Sequence, residues 1–260
     1  MSTHGVANPF CGAAPNLQDS GIVFRVPRIF LVTSLLLLAS AGGAAASGTN
    51  TPANAMVDRF EGEVRKFEWI DRRTPPPAHP VLFTGSSSVR LWTNLVSDFP
   101  NRPVMNRGFG GSEMRDLVAY FDRLVLPYHP ALVLVYEGDN DLASGKSVDE
   151  VYAEFLKFLQ RVRTDLPGTP VALMATKPSP SRQKWISNQR DLNDRLESLA
   201  RNSPGVFFID TFHPLLDPAG VPRPEYYQGD QLHLTLAGYA VWQKVVDVAL
   251  NRILPTGAPR

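Results

Sequence analysis

Four short stretches of this 260-residue chain hold residue types that could act together on a carbonyl group: Gly85-Ser86-Ser87-Ser88, Asn106 to Ser112 (NRGFGGS), Gly138-Asp139-Asn140-Asp141 and Asp230-Gln231-Leu232-His233. A serine hydroxyl is a poor nucleophile at neutral pH and needs a base beside it. An imidazole whose tautomer is set by a carboxylate is such a base, and a turn can bring Asp230 onto His233 three residues later. The tetrahedral intermediate of acyl transfer needs donors aimed at its oxyanion. Gly110-Gly111 offers N–H groups with no side chain in the way, and Asn140 offers an amide.

Each piece also has a plainer role. Serines at a strand end cap the following helix, which is the role expected of Ser86. Paired glycines make a permissive turn, and an asparagine between aspartates bonds its own backbone. Asp-x-x-His occurs twice, as Asp210…His213 and Asp230…His233. His213 is therefore a substitute base, although Pro214 and a DPAG turn follow it rather than a helix start. Order carries more weight than any single piece: the four stretches stand at successive strand exits.

Those exits follow from an alternation of apolar runs and amphipathic stretches. Strands are expected at 81–85, 103–108, 131–138, 170–178 and 206–210, and helical spacing marks 113–126, 148–165, 184–201 and 235–253. Val57, Phe60, Val64 and Phe67 mark one face of a short earlier helix, which the prolines of Thr74–Pro80 end. Five β-units separated by helices imply a three-layer α/β/α sandwich around a five-stranded parallel sheet. In such sheets reactive groups gather beyond the carboxyl ends of the strands.

Composition narrows the classes. Lys plus Arg number 26 against 25 Asp plus Glu, with 43% apolar residues, so no basic excess points to nucleic acid. One cysteine, Cys11, excludes an internal disulfide and a Cys-based metal site. Arg25 and Arg28 precede an apolar stretch, IFLVTSLLLLASA, and then small residues, the order of a secretory signal. Residues 1–46 are read as a signal peptide or N-terminal anchor, cleaved after Ala44-Ala45-Ala46 or alternatively Ala53-Asn54-Ala55. Residues 47–78 are read as a linker and short amphipathic helix, with 47–55 as the linker. The mature protein is expected to be exported, periplasmic or secreted, with no membrane span; retention through the N-terminal segment is the alternative.

In FTGSSSV, NRGFGGS, GDND and DQLHL, in that order, the chain resembles the SGNH hydrolases, also called GDSL esterases and lipases. Its look is closest to the branch similar to platelet-activating-factor acetylhydrolase subunits. The resemblance runs from about Val81 to Leu254 and implies an SGNH hydrolase domain over 79–256, a flavodoxin-like strand order 2-1-3-4-5 and no cofactor. It implies Ser87 as nucleophile, His233 as base and Asp230 as its orienting acid. The oxyanion would meet the N–H groups of Ser87 and Gly111 and the Asn140 amide. The family's aspartate before the nucleophile is Ser86 here, which leaves Ser86 and Ser88 as rival nucleophiles. The function implied is hydrolysis of carboxylic esters, short acyl or acetyl esters of lipid, carbohydrate or aryl alcohols. Acyl transfer to a sugar or alcohol, and a non-catalytic carbohydrate- or lipid-binding module, are the alternatives.

A different serine-hydrolase signature, Gly-x-Ser-x-Gly, fails because Val89 stands where glycine is required. Glu137, Asp139 and Asp141 form a carboxylate set of the kind that suits Mg or Ca, with a solvated acidic loop as the plainer reading; no metal is expected. Trp92, Phe109, Tyr136, Lys177, Trp185 and Tyr227 are candidates for lining a substrate pocket, as are Tyr226 and Arg182.

Overall fold

The computed structural model describes residues 52–255. The expected signal segment with Cys11, and the start of the linker, lie outside the described residues. Along the described chain, α1 (Pro52–Arg73) precedes β1 (Val81–Gly85), α2 (Ser87–Arg90), α3 (Leu95–Asp98) and β2 (Val104–Gly108). Then come α4 (Met114–Ala119), α5 (Phe121–Leu124), β3 (Leu132–Tyr136), α6 (Asp139–Ala143) and α7 (Val148–Asp165). The chain closes with β4 (Val171–Met174), α8 (Ile186–Arg201), β5 (Val206–Ile209) and α9 (Leu236–Ile253). The sheet is parallel throughout, in the order β2-β1-β3-β4-β5.

Side-chain alternation builds two cores from the same strands. Leu82, Val133, Val135, Val171 and Leu173 face one layer, where Phe60, Val64, Leu117, Phe155, Phe158 and Leu192 pack. Val81, Phe83, Leu132, Leu134, Tyr136, Ala172 and Met174 face the other, against Trp92, Phe99, Tyr239, Trp242 and Val246. Burial on both faces is why the strands read as unbroken apolar runs. Among the described residues no helix is long and apolar enough to cross a membrane.

Several boundaries differ from expectation. The strand expected at 131–138 ends at Tyr136, and some other strand and helix ends shift by a residue. α1 is longer than a short helix and takes in 52–55, read as linker, because Pro52 is tolerated at a helix start. Phe60 and Val64, 3% and 0% exposed, dock it on the core, at roughly 1.5–3 kcal/mol for each buried side chain. The 113–126 helix is two pieces broken at Tyr120, followed by a 3₁₀ turn over Leu126–Tyr128 that holds Pro127. The 170–178 strand stops at Met174, where pairing with Ile209 ends. The 184–201 helix begins only at Ile186, after a 3₁₀ turn over Pro180–Trp185.

Register places the site. Gly85 lies opposite Gly108 on one side and Tyr136 on the other. Three strands therefore end level with one another, and the residues just beyond them are neighbours.

Candidate active site

The first strand exit turns at Gly85, whose φ is +124°. A Cβ there would stand 2.0 Å from the Tyr136 carbonyl oxygen, so only glycine fits. Ser86 follows at the start of α2 with extended φ −79° and ψ −165° and donates its N–H to Tyr136 O at 3.1 Å. It occupies the N-cap position, but its hydroxyl makes no capping hydrogen bond, contrary to the role expected of it. Ser86 and Ser88 are each 2% exposed, while Ser87 is only partly buried.

Ser87 Oγ lies 3.0 Å from His233 Nε2 across 146 positions of chain. On its other side His233 Nδ1 meets Asp230 Oδ2 at 2.5 Å. A carboxylate only accepts, so in the neutral imidazole Nδ1 carries the proton and Nε2 turns its lone pair to the serine. Asp230 is itself held: its Oδ1 accepts from the N–H groups of Leu232 and His233, both at 3.0 Å. Burial acts to raise the Asp230 carboxyl, but those two N–H groups and the imidazole outweigh it and hold the carboxyl down to about 2. Gln231 adopts φ +59° to let the turn close, and Gln228 N–H donates to His233 O at 2.7 Å. The arrangement can draw a proton from a hydroxyl and return it to a leaving group.

The second exit bends at Gly111, with φ +80°. Among the described residues, the N–H groups of Ser87 and Gly111 donate to no backbone carbonyl. Asn140, in the first turn of α6, donates from Nδ2 to Ser112 O at 2.9 Å and accepts at Oδ1 from the Arg182 guanidinium at 3.4 Å. These contacts fix which way the amide faces and leave its second N–H unspent. Ser87 and Asn140, in the first turns of α2 and α6, and Gly111, Asp230 and His233, on loops, follow strand ends of the sheet, with the hydroxyl, imidazole and carboxylate in contact.

The carboxylates beyond β3 are occupied by protein groups. Glu137, wholly buried, accepts from Ser112 Oγ at 2.6 Å. Burial and then the charge of Asp141 push its carboxyl well above the ordinary range. Asp139 pairs with Lys177 Nζ at 3.0 Å, and Asp141 with Lys146 Nζ at 2.8 Å. Neither a solvated loop nor an open ligand set describes them: the loop is buried and internally bonded.

Most of the pocket candidates are packed into the protein. Trp92, Phe109, Tyr136, Lys177 and Tyr227 are at most 5% exposed, although Trp92 also lines a cavity with Asn94, Leu236 and Tyr239. Trp92 stacks on Tyr239 with ring centroids 5.4 Å apart, and Tyr136 packs on Trp242. Tyr227 Oη donates to Pro178 O at 2.5 Å. Phe109 meets Phe60 edge-on at 5.0 Å. Apolar and amphipathic side chains behind a reactive loop are drawn to the core by the same hydrophobic gain that makes them attractive as pocket candidates. Trp185 alone of the six is partly exposed, with Arg182 and Lys184 over its ring at 5.6 and 5.1 Å. Two contributors had no sequence signal, Arg59 and Glu63 of α1, which reach Gly111 and Gly110, while Ser112, whose carbonyl holds Asn140, stood in the NRGFGGS stretch with no role assigned to it.

With this geometry in view, comparison with known proteins gives the lineage. A Streptococcus pneumonia protein provisionally named a platelet activating factor superposes with TM-score 0.67 at 24% identity, covering 76% of this chain and 95% of that one. A GDSL-like lipase from Bacteroides thetaiotaomicron superposes with TM-score 0.64 at 21% identity, covering 78% and 99%. A catalytic mutant of an acetylxylan esterase from Geobacillus stearothermophilus gives TM-score 0.55 at 15% identity, covering 68% and 95%. At these identities the likeness is one of fold. No curated protein matches the sequence. The family model described as GDSL-like lipase/acylhydrolase matches residues 76–241, and the chain accordingly belongs to that family, the SGNH-type serine hydrolases.

Proposed function

We propose that the protein hydrolyses carboxylic esters through an acyl-enzyme on Ser87. The single observation that carries this reading is the line from Ser87 Oγ to His233 Nε2 at 3.0 Å and from Nδ1 to Asp230 at 2.5 Å. His233 accepts the Ser87 proton as Oγ attacks the ester carbonyl. The tetrahedral oxyanion is met by the Ser87 and Gly111 N–H groups and the Asn140 amide. Collapse expels the alcohol, which takes the proton from His233. Water, deprotonated by the same imidazole, then attacks the acyl carbon and releases the acid with Ser87 restored. Each step is acid–base and nucleophilic chemistry that these side chains supply, so the mechanism calls on no cofactor.

Short acyl or acetyl esters are the substrate class we favour, in keeping with the acetylxylan esterase among the structural neighbours. The Arg25–Ala46 segment supports export as the setting, with residues 79–256 as the hydrolase domain. The test is a panel of p-nitrophenyl esters of graded acyl length on the purified full chain, with fluorophosphonate labelling alongside. Turnover of short esters and label on Ser87 are expected. Label on Ser86 or Ser88 would move the nucleophile, and turnover that survives Ser87→Ala would overturn the reading.

A further inference from the structure

One turn of α1 touches three successive residues of the glycine loop. Phe60 packs edge-on against Phe109, centroids 5.0 Å apart. Glu63 Oε2 accepts from Gly110 N–H at 3.3 Å, and the Arg59 guanidinium donates to Gly111 O at 2.9 Å. Arg90, just past Ser87 on α2, joins Glu63 at 3.7 Å. Its guanidinium also crowds Gly110, where a Cβ would come within 2.6 Å of Nε.

The positions of these contacts matter. The peptide unit joining Gly110 to Gly111 carries the Gly111 N–H. The group before it, Gly110 N–H, is held by Glu63; the group after it, Gly111 C=O, is held by Arg59. Two glycines would otherwise rotate freely about this unit, since they lack the side chains that restrict φ and ψ. With both flanks tied, the Gly110-Gly111 unit cannot swing along with its neighbours, and the only rotation left to its N–H is a flip about its own ψ and φ. α1 lies wholly before residue 76, where the match to the family begins.

We infer that Arg59 and Glu63 are positioning residues for the acyl-transfer reaction, holding the Gly110-Gly111 peptide so that the Gly111 N–H faces the developing oxyanion. The inference rests on the ester-hydrolase reading of Ser87. Both side chains bond the backbone of the glycine loop, not a reacting group. They act on a donor whose value depends on being in place before charge develops. Loss of either should therefore lower kcat and leave KM near its original value, because the ground-state carbonyl uses the donor less than the oxyanion does.

The experiment measures kcat, KM and Tm of the full chain on a short p-nitrophenyl ester for Arg59→Ala, Glu63→Ala, Glu63→Gln, Arg123→Ala and Ser87→Ala. Arg123 ties α1 through Glu61 and Glu68, both at 2.6 Å, away from the glycine loop, so it reports what loosening the helix alone does. Arg59→Ala and Glu63→Ala should lower kcat roughly 10- to 100-fold, less than deletion of a donor outright, with KM within about twofold. Glu63→Gln keeps an oxygen for Gly110 N–H and should restore most of the rate. Arg123→Ala should lower Tm and spare kcat. An unchanged kcat in both alanine variants overturns the inference, and so does an equal fall in Arg123→Ala. If Ser87→Ala itself stays active, the hydrolase reading fails instead.

Discussion

The molecule contains the same acid–imidazole unit twice. In one, Asp210 Oδ1 accepts from Phe212 N–H at 3.1 Å and His213 N–H at 3.0 Å, while Oδ2 meets His213 Nδ1 at 2.9 Å. In the other, Asp230 repeats each contact with Leu232 and His233 at 3.0, 3.0 and 2.5 Å. What differs is the far side of the ring. His233 faces Ser87 and its side chain is 23% exposed; that of His213 is 67% exposed and has no serine partner among the described residues. His213 follows β5 at the sheet edge, with β4 and β3 between it and β1, whose exit carries Ser87. His233 stands just before α9, which is tied to α2 by Tyr239 Oη donating to Ser88 O at 2.9 Å. Four residues suffice to orient an imidazole. Giving it a substrate-facing partner takes the packing of two distant helices.

Substitutions at the two units break this comparison most directly. His233→Ala should lower ester turnover on the order of a million-fold, as removal of a triad base does elsewhere. His213→Ala should stay within about twofold, since a solvent-facing imidazole adds nothing to the reaction. A matching loss at His213 would erase the distinction. Next in size, Asp230→Asn should cost roughly 10,000-fold by releasing the tautomer, and Asp210→Asn should cost nothing measurable. Asn140→Ala should lower kcat about 100- to 1000-fold in a protein that still folds, read by circular dichroism and steady-state kinetics together.

The smallest effect is thermodynamic. The Asp230 carboxyl is lowered from 3.8 to about 2 in the folded state. A lowered carboxyl contributes stability that is present above its unfolded value and lost as pH falls through its folded value. Wild type should therefore exceed Asp230→Asn in Tm near pH 5, with the gap closing toward pH 2, as calorimetry would register. A gap that widens on acidification would reverse the sign assigned to Asp230.

Residue order along the chain carried the sheet and the candidate site residues because both are marked by local pattern. Five apolar runs located the strands to within a few residues, and the Gly, Ser, Asn and Asp residues after the first three marked reactive ends. The pocket aromatics were not legible in that way. Phe109 has the same hydrophobicity whether it lines a cleft or fills a core, and only its packing against Phe60 distinguishes the two. Arg59 and Glu63 were equally silent, since a charged pair four apart reads as an ordinary exposed helix face.

Sequence by itself determined which residues could serve as nucleophile, acid and oxyanion donors, for the reason that those roles need specific functional groups. Tertiary structure decided which of two Asp-x-x-His units faces a serine, and which element contacts the glycine loop. Those choices depend on distances between chain segments more than 100 positions apart in one case and about 50 in the other. No local pattern records such a distance. It is set by strand order and helix packing.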